Sequence, residues 1–311
     1  MRIKSKFAVI LIAVLFVSGL YFICRDYFHF QEIKRQKISL ERRKAAWQVL
    51  QQKLIYEISQ FKGEVGLVIK DLSSDWEISY NKNKLFPSAS LVKIPIMAAC
   101  FLAATEGRVK FDREIVLKNS DKFPGSGILK NVQPGATFSA EELIGLMIYD
   151  SDNTATNILT NMVGLDYLNK VFNVWGLKKT NIARKVADFS SRDRGIENYT
   201  TAKDMAWLLE QFYHKALISK DISERCLKIL KLQRTNDRIP RYLPIEAIVA
   251  HKTGLEQTVC HDAGIVFSGH GDFLICVLTK HANSNSTFSK DFIAKIALDT
   301  YAYFEQLPDN K

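Results

Sequence analysis

Apolar residues recur at Trp47, Leu50, Leu54, Ile58 and Phe61, three or four positions apart. Residues 30–60 are therefore predicted to form a long helix with one buried stripe. Its front half, to Lys44, is polar and basic, as suits either a stalk near an anionic membrane surface or a solvated linker. Strand character follows at Val65–Lys70 and Trp76–Tyr80, around the turn-like Asp71-Leu72-Ser73-Ser74-Asp75. The apolar run Ile94–Ala99 marks a buried helix. From there to residue 235 the pattern is mostly helical, with segments at 139–149, 153–163, 165–175, 201–213 and 221–231. Strand character returns at Ala247–His251, Ala263–Phe267 and Phe273–Thr279, and an amphipathic helix over 288–305 closes the chain. Helix, strands, many helices, strands, helix: this order predicts an α/β layer assembled from both ends of the chain, with an all-helical part inserted between them.

Residues 7–24 (FAVILIAVLFVSGLYFIC) form 18 consecutive uncharged positions after Arg2, Lys4 and Lys6. Such a run is just long enough to span a bilayer. A cleaved signal peptide has a shorter core and a small-x-small site, whereas this run ends Tyr-Phe-Ile-Cys. The expectation is an uncleaved anchor or signal: a basic terminus over 1–6, a transmembrane segment over 7–24 and a basic juxtamembrane helix over 25–47. The flanking charge does not fix its orientation, because more basic residues follow the span than precede it, and the positive-inside rule would leave the remainder in the cytoplasm.

The net charge is +10, but residues 1–47 hold ten Lys/Arg against three acids, and the remaining 264 residues carry only +3 with no long basic run. The excess belongs to the terminal segment, which argues against nucleic acid as a partner. Five cysteines stand at 24, 100, 226, 260 and 276 without metal-ligand spacing. No metal or other cofactor is expected, and Cys100 and Cys276, in apolar runs, read as buried free thiols.

Candidate chemistry begins at Ser90-Leu91-Val92-Lys93, which opens the apolar helix. Residues three apart on a helix share a face, so the Ser90 hydroxyl and the Lys93 amine can meet. The positive end of the helix dipole and an apolar setting both favour the neutral amine, which can take a proton. Alone the motif is weak, since Ser59–Lys62 and Ser79–Lys82 match it too. Ser151-Asp152-Asn153 falls between two helices, 61 residues after Ser90, and alone reads as a helix cap. His251-Lys252-Thr253-Gly254 follows a strand, with Lys252 standing 101 residues after Ser151. Ser-x-x-Lys, Ser-Asp-Asn and Lys-Thr-Gly, in this order and context, mark class A β-lactamases and penicillin-binding proteins.

On these residues, and on Phe86-x-x-Ala89-Ser90, Asp152-Asn153-Thr154-Ala155-x-Asn157 and Tyr199-Thr200-Thr201-x-x-Asp204-Met205, the chain resembles a class A β-lactamase-like serine hydrolase over roughly 48–306. The resemblance implies an α/β plus all-α, β-lactamase/transpeptidase-like fold: an antiparallel sheet with flanking terminal helices and an inserted helical subdomain. The catalytic domain would span 48–308, with its α/β part at 48–87 and 239–308 and its helical part at 88–238. Ser90 would be the nucleophile, Lys93 its base, and Ser151 the proton relay to the leaving nitrogen. Asn153 would bind the substrate's amide side chain, and Lys252 and Thr253 its carboxylate. The backbones of Ser90 and of Leu255, after Gly254, would form the oxyanion hole.

One element of the pattern is missing. Class A enzymes carry a loop glutamate that activates the deacylating water. Counted from Gly176 and Arg184, that position falls on Val186, the loop's asparagine on Ser190 and its proline on Ala187. Asp188 is the nearest carboxylate that could substitute; otherwise it would pair with Arg184 or Arg192 and shape the loop. The expected function is β-lactam hydrolysis through a Ser90 acyl-enzyme with slow deacylation. The alternatives are a D,D-peptidase-like enzyme or a penicillin-binding sensor acting on acyl-D-Ala-D-Ala-type cell-wall peptides. Such substrates are met outside the cytoplasmic membrane, so the catalytic domain is expected there, against the local charge count. The carboxylate-gripping arginine of many relatives is not evident after Gly254; His261 and Lys280 are weak stand-ins.

Overall fold

Helix α1 spans Arg2–Gln60, and of the predicted stripe Trp47, Leu50, Leu54 and Ile58 are buried on it while Phe61 is buried just past its end. The computed structural model describes residues 2–111, 114–282 and 285–307, the side chains of 2–15, 17 and 19 excepted. The chain divides into two units, 1–52 and 53–311. Among the described residues no helix is long and apolar enough to cross a membrane; most of the 7–24 run consists of side chains outside those described.

In the second unit, strands β1 (Glu64–Asp71), β2 (Glu77–Tyr80) and β3 (Phe86–Pro87) lead into helix α2 (Lys93–Thr105). A small ribbon pairs β4 (Ile115–Val116) with β5 (Thr137–Phe138). Helices α3 (Ala140–Tyr149), α4 (Asn153–Val163), α5 (Leu165–Val174) and α6 (Phe189–Asp193) follow. Then come β6 (Tyr199–Thr200), which pairs with β3, and helices α7 (Ala202–Tyr213) and α8 (Lys220–Leu230). Strands β7 (Ile248–Glu256), β8 (Val259–Phe267) and β9 (Phe273–Lys280) and helix α9 (Thr287–Glu305) complete the fold.

The five long strands form one sheet in the order β2-β1-β9-β8-β7, antiparallel throughout. Alternation along β9 sorts its two faces. Phe273 stacks on Phe304 of α9 at 4.9 Å between ring centroids. On the same terminal-helix layer Phe61 meets Phe292 at 4.6 Å, and Lys53 Nζ bonds Asp299 at 2.7 Å. Leu274, Cys276 and Leu278 instead join the core shared with α2 and the other inserted helices. Helix α2 lies within that core, and Lys93–Phe101 are all buried, as expected of a helix apolar all round. Pro95 is tolerated because it sits in the first turn, where an N–H has no intrahelical partner.

Two strands are longer than their apolar patterns predict. β7 does not end before Lys252 but runs to Glu256, and β8 begins at Val259, so that Glu256 pairs with Val259 across a two-residue turn. The polar residues Lys252, His261 and Asp262 break the expected pattern, yet all three are buried and hydrogen-bonded. His251 Nδ1 lies 2.9 Å from Asp262 Oδ1, and Asp262 Oδ2 accepts from the Ile239 N–H at 3.0 Å. Partnered polar groups can occupy a core that unpartnered ones would destabilise.

Candidate active site

Ser90 lies in a short 3-10 helix, Ala89–Val92, immediately before Lys93 begins α2. β7 packs against this turn. Gly254 permits the approach: a Cβ there would meet Ala89 Cβ at 3.4 Å and two His261 atoms at 3.3 Å. Ala89 (φ 44°) and Ser151 (φ 53°) hold left-handed conformations that cost non-glycine residues energy.

The cluster centres on Ser151. Its Oγ lies 2.9 Å from Ser90 Oγ, and it accepts from Lys93 Nζ at 3.1 Å and Lys252 Nζ at 3.0 Å. Lys93 also donates to Ser151 O at 2.6 Å and Asn153 Oδ1 at 2.9 Å. No direct bond joins Lys93 to Ser90 among the described contacts; the helical spacing brings them near, and Ser151 stands between them. Both lysines are fully buried. Burial, and then the charge of Lys252, hold the Lys93 amine well below its ordinary value. Burial and the Arg238 guanidinium bring Lys252 down to about 7. Arg238 is itself buried. Sequence reading missed it, because it precedes the Lys-Thr-Gly strand rather than following it.

The Ser-Asp-Asn triplet divides its work. Asp152 caps α4, accepting from the Ala155 N–H at 2.9 Å. Its other oxygen accepts from the Leu129 N–H at 2.8 Å, and a Cβ on Gly127 would fall 2.2 Å from that carboxylate. The cap thus draws the 125–129 loop against α4. Asn153 Nδ2 donates to Pro124 O at 2.9 Å, so both ends of its amide already have a partner, with one donor and one lone pair left over. The stand-in His261 is fully buried; its Nε2 lies 2.8 Å from Pro87 O and its Nδ1 accepts from the Thr279 N–H at 3.1 Å. Both ring nitrogens are engaged, and burial lowers its pKa to about 4.

A cavity of about 280 Å³ opens over Ser90, lined also by Asn153, Val186, Phe189, Leu255 and Glu256. A model of the beta-lactamase enzyme family matches residues 48–304. The chain belongs to this family. Beta-lactamase VEB-1 of Pseudomonas aeruginosa is 25% identical over 257 residues, which cover 77% of this chain and 85% of that protein. A beta-lactamase structure from Sphaerobacter thermophilus is 30% identical at a TM-score of 0.74, covering 80% of this chain and 93% of that one. A variant of PBP-A, solved as an acyl-enzyme complex with penicillin G, is 30% identical at a TM-score of 0.76, covering 84% and 97%. The fold is thus that of a β-lactamase-like serine hydrolase.

The loop that departs from the β-lactamase pattern is tied down at several points. Asn157 of α4 grips Val186 at both backbone groups, at 3.1 Å each. Arg184 is buried and pairs with Glu197 at 2.7 Å and Glu256 at 3.2 Å, not with Asp188. Arg192 pairs with its neighbour Asp193 at 3.0 Å. Asp188 caps α6, accepting from the Ser191 N–H at 3.0 Å and its hydroxyl at 2.7 Å. These bonds hold its carboxyl below the usual range, and it does not line the cavity. Asp188→Asn is therefore expected to leave the lifetime of a Ser90 adduct unchanged. Asp188→Ala should cost about 0.5–2 kcal/mol of stability through loss of the cap, read from denaturant midpoints.

Away from the cavity, Asp75, Glu210 and His214 converge at the surface. Lys70 bonds both carboxylates, so an ammonium already supplies the positive charge there.

The remaining thiols are free. Cys100, Cys226, Cys260 and Cys276 are buried and Cys24 is exposed; burial raises the Cys100 pKa to about 12, which makes it a poor nucleophile.

Proposed function

We propose that the protein opens β-lactams by acylating Ser90 and releases the product slowly. The observation that carries this reading is the Ser151 hydroxyl, set 2.9 Å from Ser90 Oγ and within hydrogen-bond reach of two buried lysines. Neutral Lys93 takes the Ser90 proton through Ser151 as Oγ attacks the lactam carbonyl carbon. The backbone N–H groups of Ser90 and Leu255 stabilise the oxyanion. As the C–N bond breaks, the proton returns through Ser151 to the leaving nitrogen. Lys252, with Thr253, holds the substrate carboxylate, and Asn153 uses its remaining donor and lone pair on the substrate amide.

A second reading has its own observation. Val186, which cannot take a proton, forms the cavity wall where the family's glutamate is expected. That suits a D,D-peptidase or a penicillin-binding sensor acting on acyl-D-Ala-D-Ala-type peptides. Ring opening of a chromogenic cephalosporin and D-Ala release from an acyl-D-Ala-D-Ala peptide, assayed side by side, separate the two. Slow ring opening without D-Ala release is the expected result. D-Ala release with a persistent β-lactam adduct would transfer the assignment to the peptidase.

The catalytic unit is held outside the cytoplasmic membrane by residues 7–24. The uncharged run and the extracytoplasmic origin of such substrates support this placement. An alkaline phosphatase fused at the C-terminus should be active in intact cells; an inactive fusion would place the unit inside.

A further inference from the structure

We infer that Glu256 activates the water that frees the acyl group from Ser90. The inference rests on the acyl-enzyme reading above and names the group that completes its cycle. Glu256 is the one carboxylate among the described residues that lines the cavity with Ser90, Asn153 and Val186. It is the last residue of β7, one position beyond Leu255. The extended strand and its tight turn to β8 place it on the cavity lining, within reach of Arg184 in the loop. No local sequence motif reveals this, because the position depends on strand pairing.

Its surroundings suit a base rather than a structural counter-charge. Arg184 is already paired closely by Glu197, through Nε at 3.0 Å and Nη2 at 2.7 Å. The contacts of Arg184 with Glu256 are longer, 3.2 and 3.4 Å, and come from a single nitrogen. They orient the carboxylate while leaving lone pairs open on both oxygens. The side chain is 16% exposed, so water can reach it. Burial raises its carboxyl above the ordinary value, opposed by Arg184, which moves the group toward the range where a general base works near neutral pH. The titratable groups that act on it are Arg184 and Glu197 of the loop, Arg192 of α6 and the amine of Lys93 in α2.

In the step itself, Glu256 takes a proton from water as the water oxygen bonds to the ester carbonyl carbon. The carbonyl electron pair moves onto the oxyanion. Collapse restores the carbonyl and breaks the bond to Ser90 Oγ, which takes a proton from Ser151, replenished by Lys252. Glu256 returns its proton to solvent, Lys252 regains one, and the products are a carboxylic acid and free serine.

The test is a pulse of benzylpenicillin on the full-length protein, followed by removal of free drug and intact-mass measurement of adduct decay across pH. The wild-type adduct should decay faster as pH rises, because a base with a raised pKa gains activity as it loses its proton. Glu256→Gln, which can still accept from Arg184, should lengthen the lifetime by about 10²–10⁴-fold and remove the pH dependence, with adduct formation itself reporting a folded site. Glu256→Asp should keep the pH dependence at a reduced rate. Equal lifetimes and pH profiles in wild type and Glu256→Gln would overturn the role of Glu256 while leaving Ser90 acylation standing. Absence of any adduct on both wild type and Glu256→Gln, with no opening of a cephalosporin ring by folded wild type, would overturn the acyl-enzyme reading, and this inference with it.

Discussion

Lys93→Met should slow acylation of Ser90 by about 10²–10⁴-fold, the usual worth of a positioned general base. Methionine approximates the volume of the buried stem, so the core around α2 stays filled. What is lost is the amine that donates to Ser151 O and Asn153 Oδ1 and meets the Ser151 hydroxyl. Stopped-flow measurement of acylation by a reporter β-lactam reads the effect, with circular dichroism as the control for folding. An unchanged acylation rate would remove Lys93 from the proton path. The wild-type pH profile provides a companion observation. Lys252, brought down to about 7, is charged below that pH and neutral above it. Binding of an anionic substrate to the free enzyme should therefore weaken as pH rises through about 7.

Val186→Glu should shorten the lifetime of the Ser90 adduct by a comparable factor, about 10²–10⁴-fold. Val186 lines the same cavity as Ser90, and Asn157 fixes its backbone on both sides. A glutamate there inherits a defined position rather than a flexible one. The readout is adduct decay by intact mass, together with turnover of a chromogenic cephalosporin. An adduct as persistent as that of wild type would show that the deacylating water does not pass position 186.

The site was legible in the sequence where chemistry and spacing coincide. Ser90, Lys93, Ser151 and Lys252 lie far apart in the chain, and their order within a helix–strand pattern was enough to group them. The structure brings these four together around one hydroxyl. The sheet was legible where β1 and β9 alternate or run apolar. It was not legible where polar residues are buried in pairs, as His251 with Asp262 is; periodicity reads polarity and cannot see a partner. The two-residue strands of the β3–β6 and β4–β5 ribbons are too short for a period of two to register. Helix α6 has only five residues, too few for a helical period to register, and the Ser191 partner of its Asp188 cap is not encoded in a linear pattern. Glu256 and Arg238 owe their positions to strand pairing and burial, which a linear motif does not encode.

Each of these outcomes begins with covalent acylation of Ser90. It is tested most directly by mixing the full-length protein and its Ser90→Ala variant with benzylpenicillin and comparing intact masses. Wild type should gain the mass of the whole β-lactam, located on Ser90 by peptide mapping, while the alanine variant should remain unmodified. An adduct of equal yield on Ser90→Ala, or none on folded wild type that also fails to open a cephalosporin ring, would contradict it.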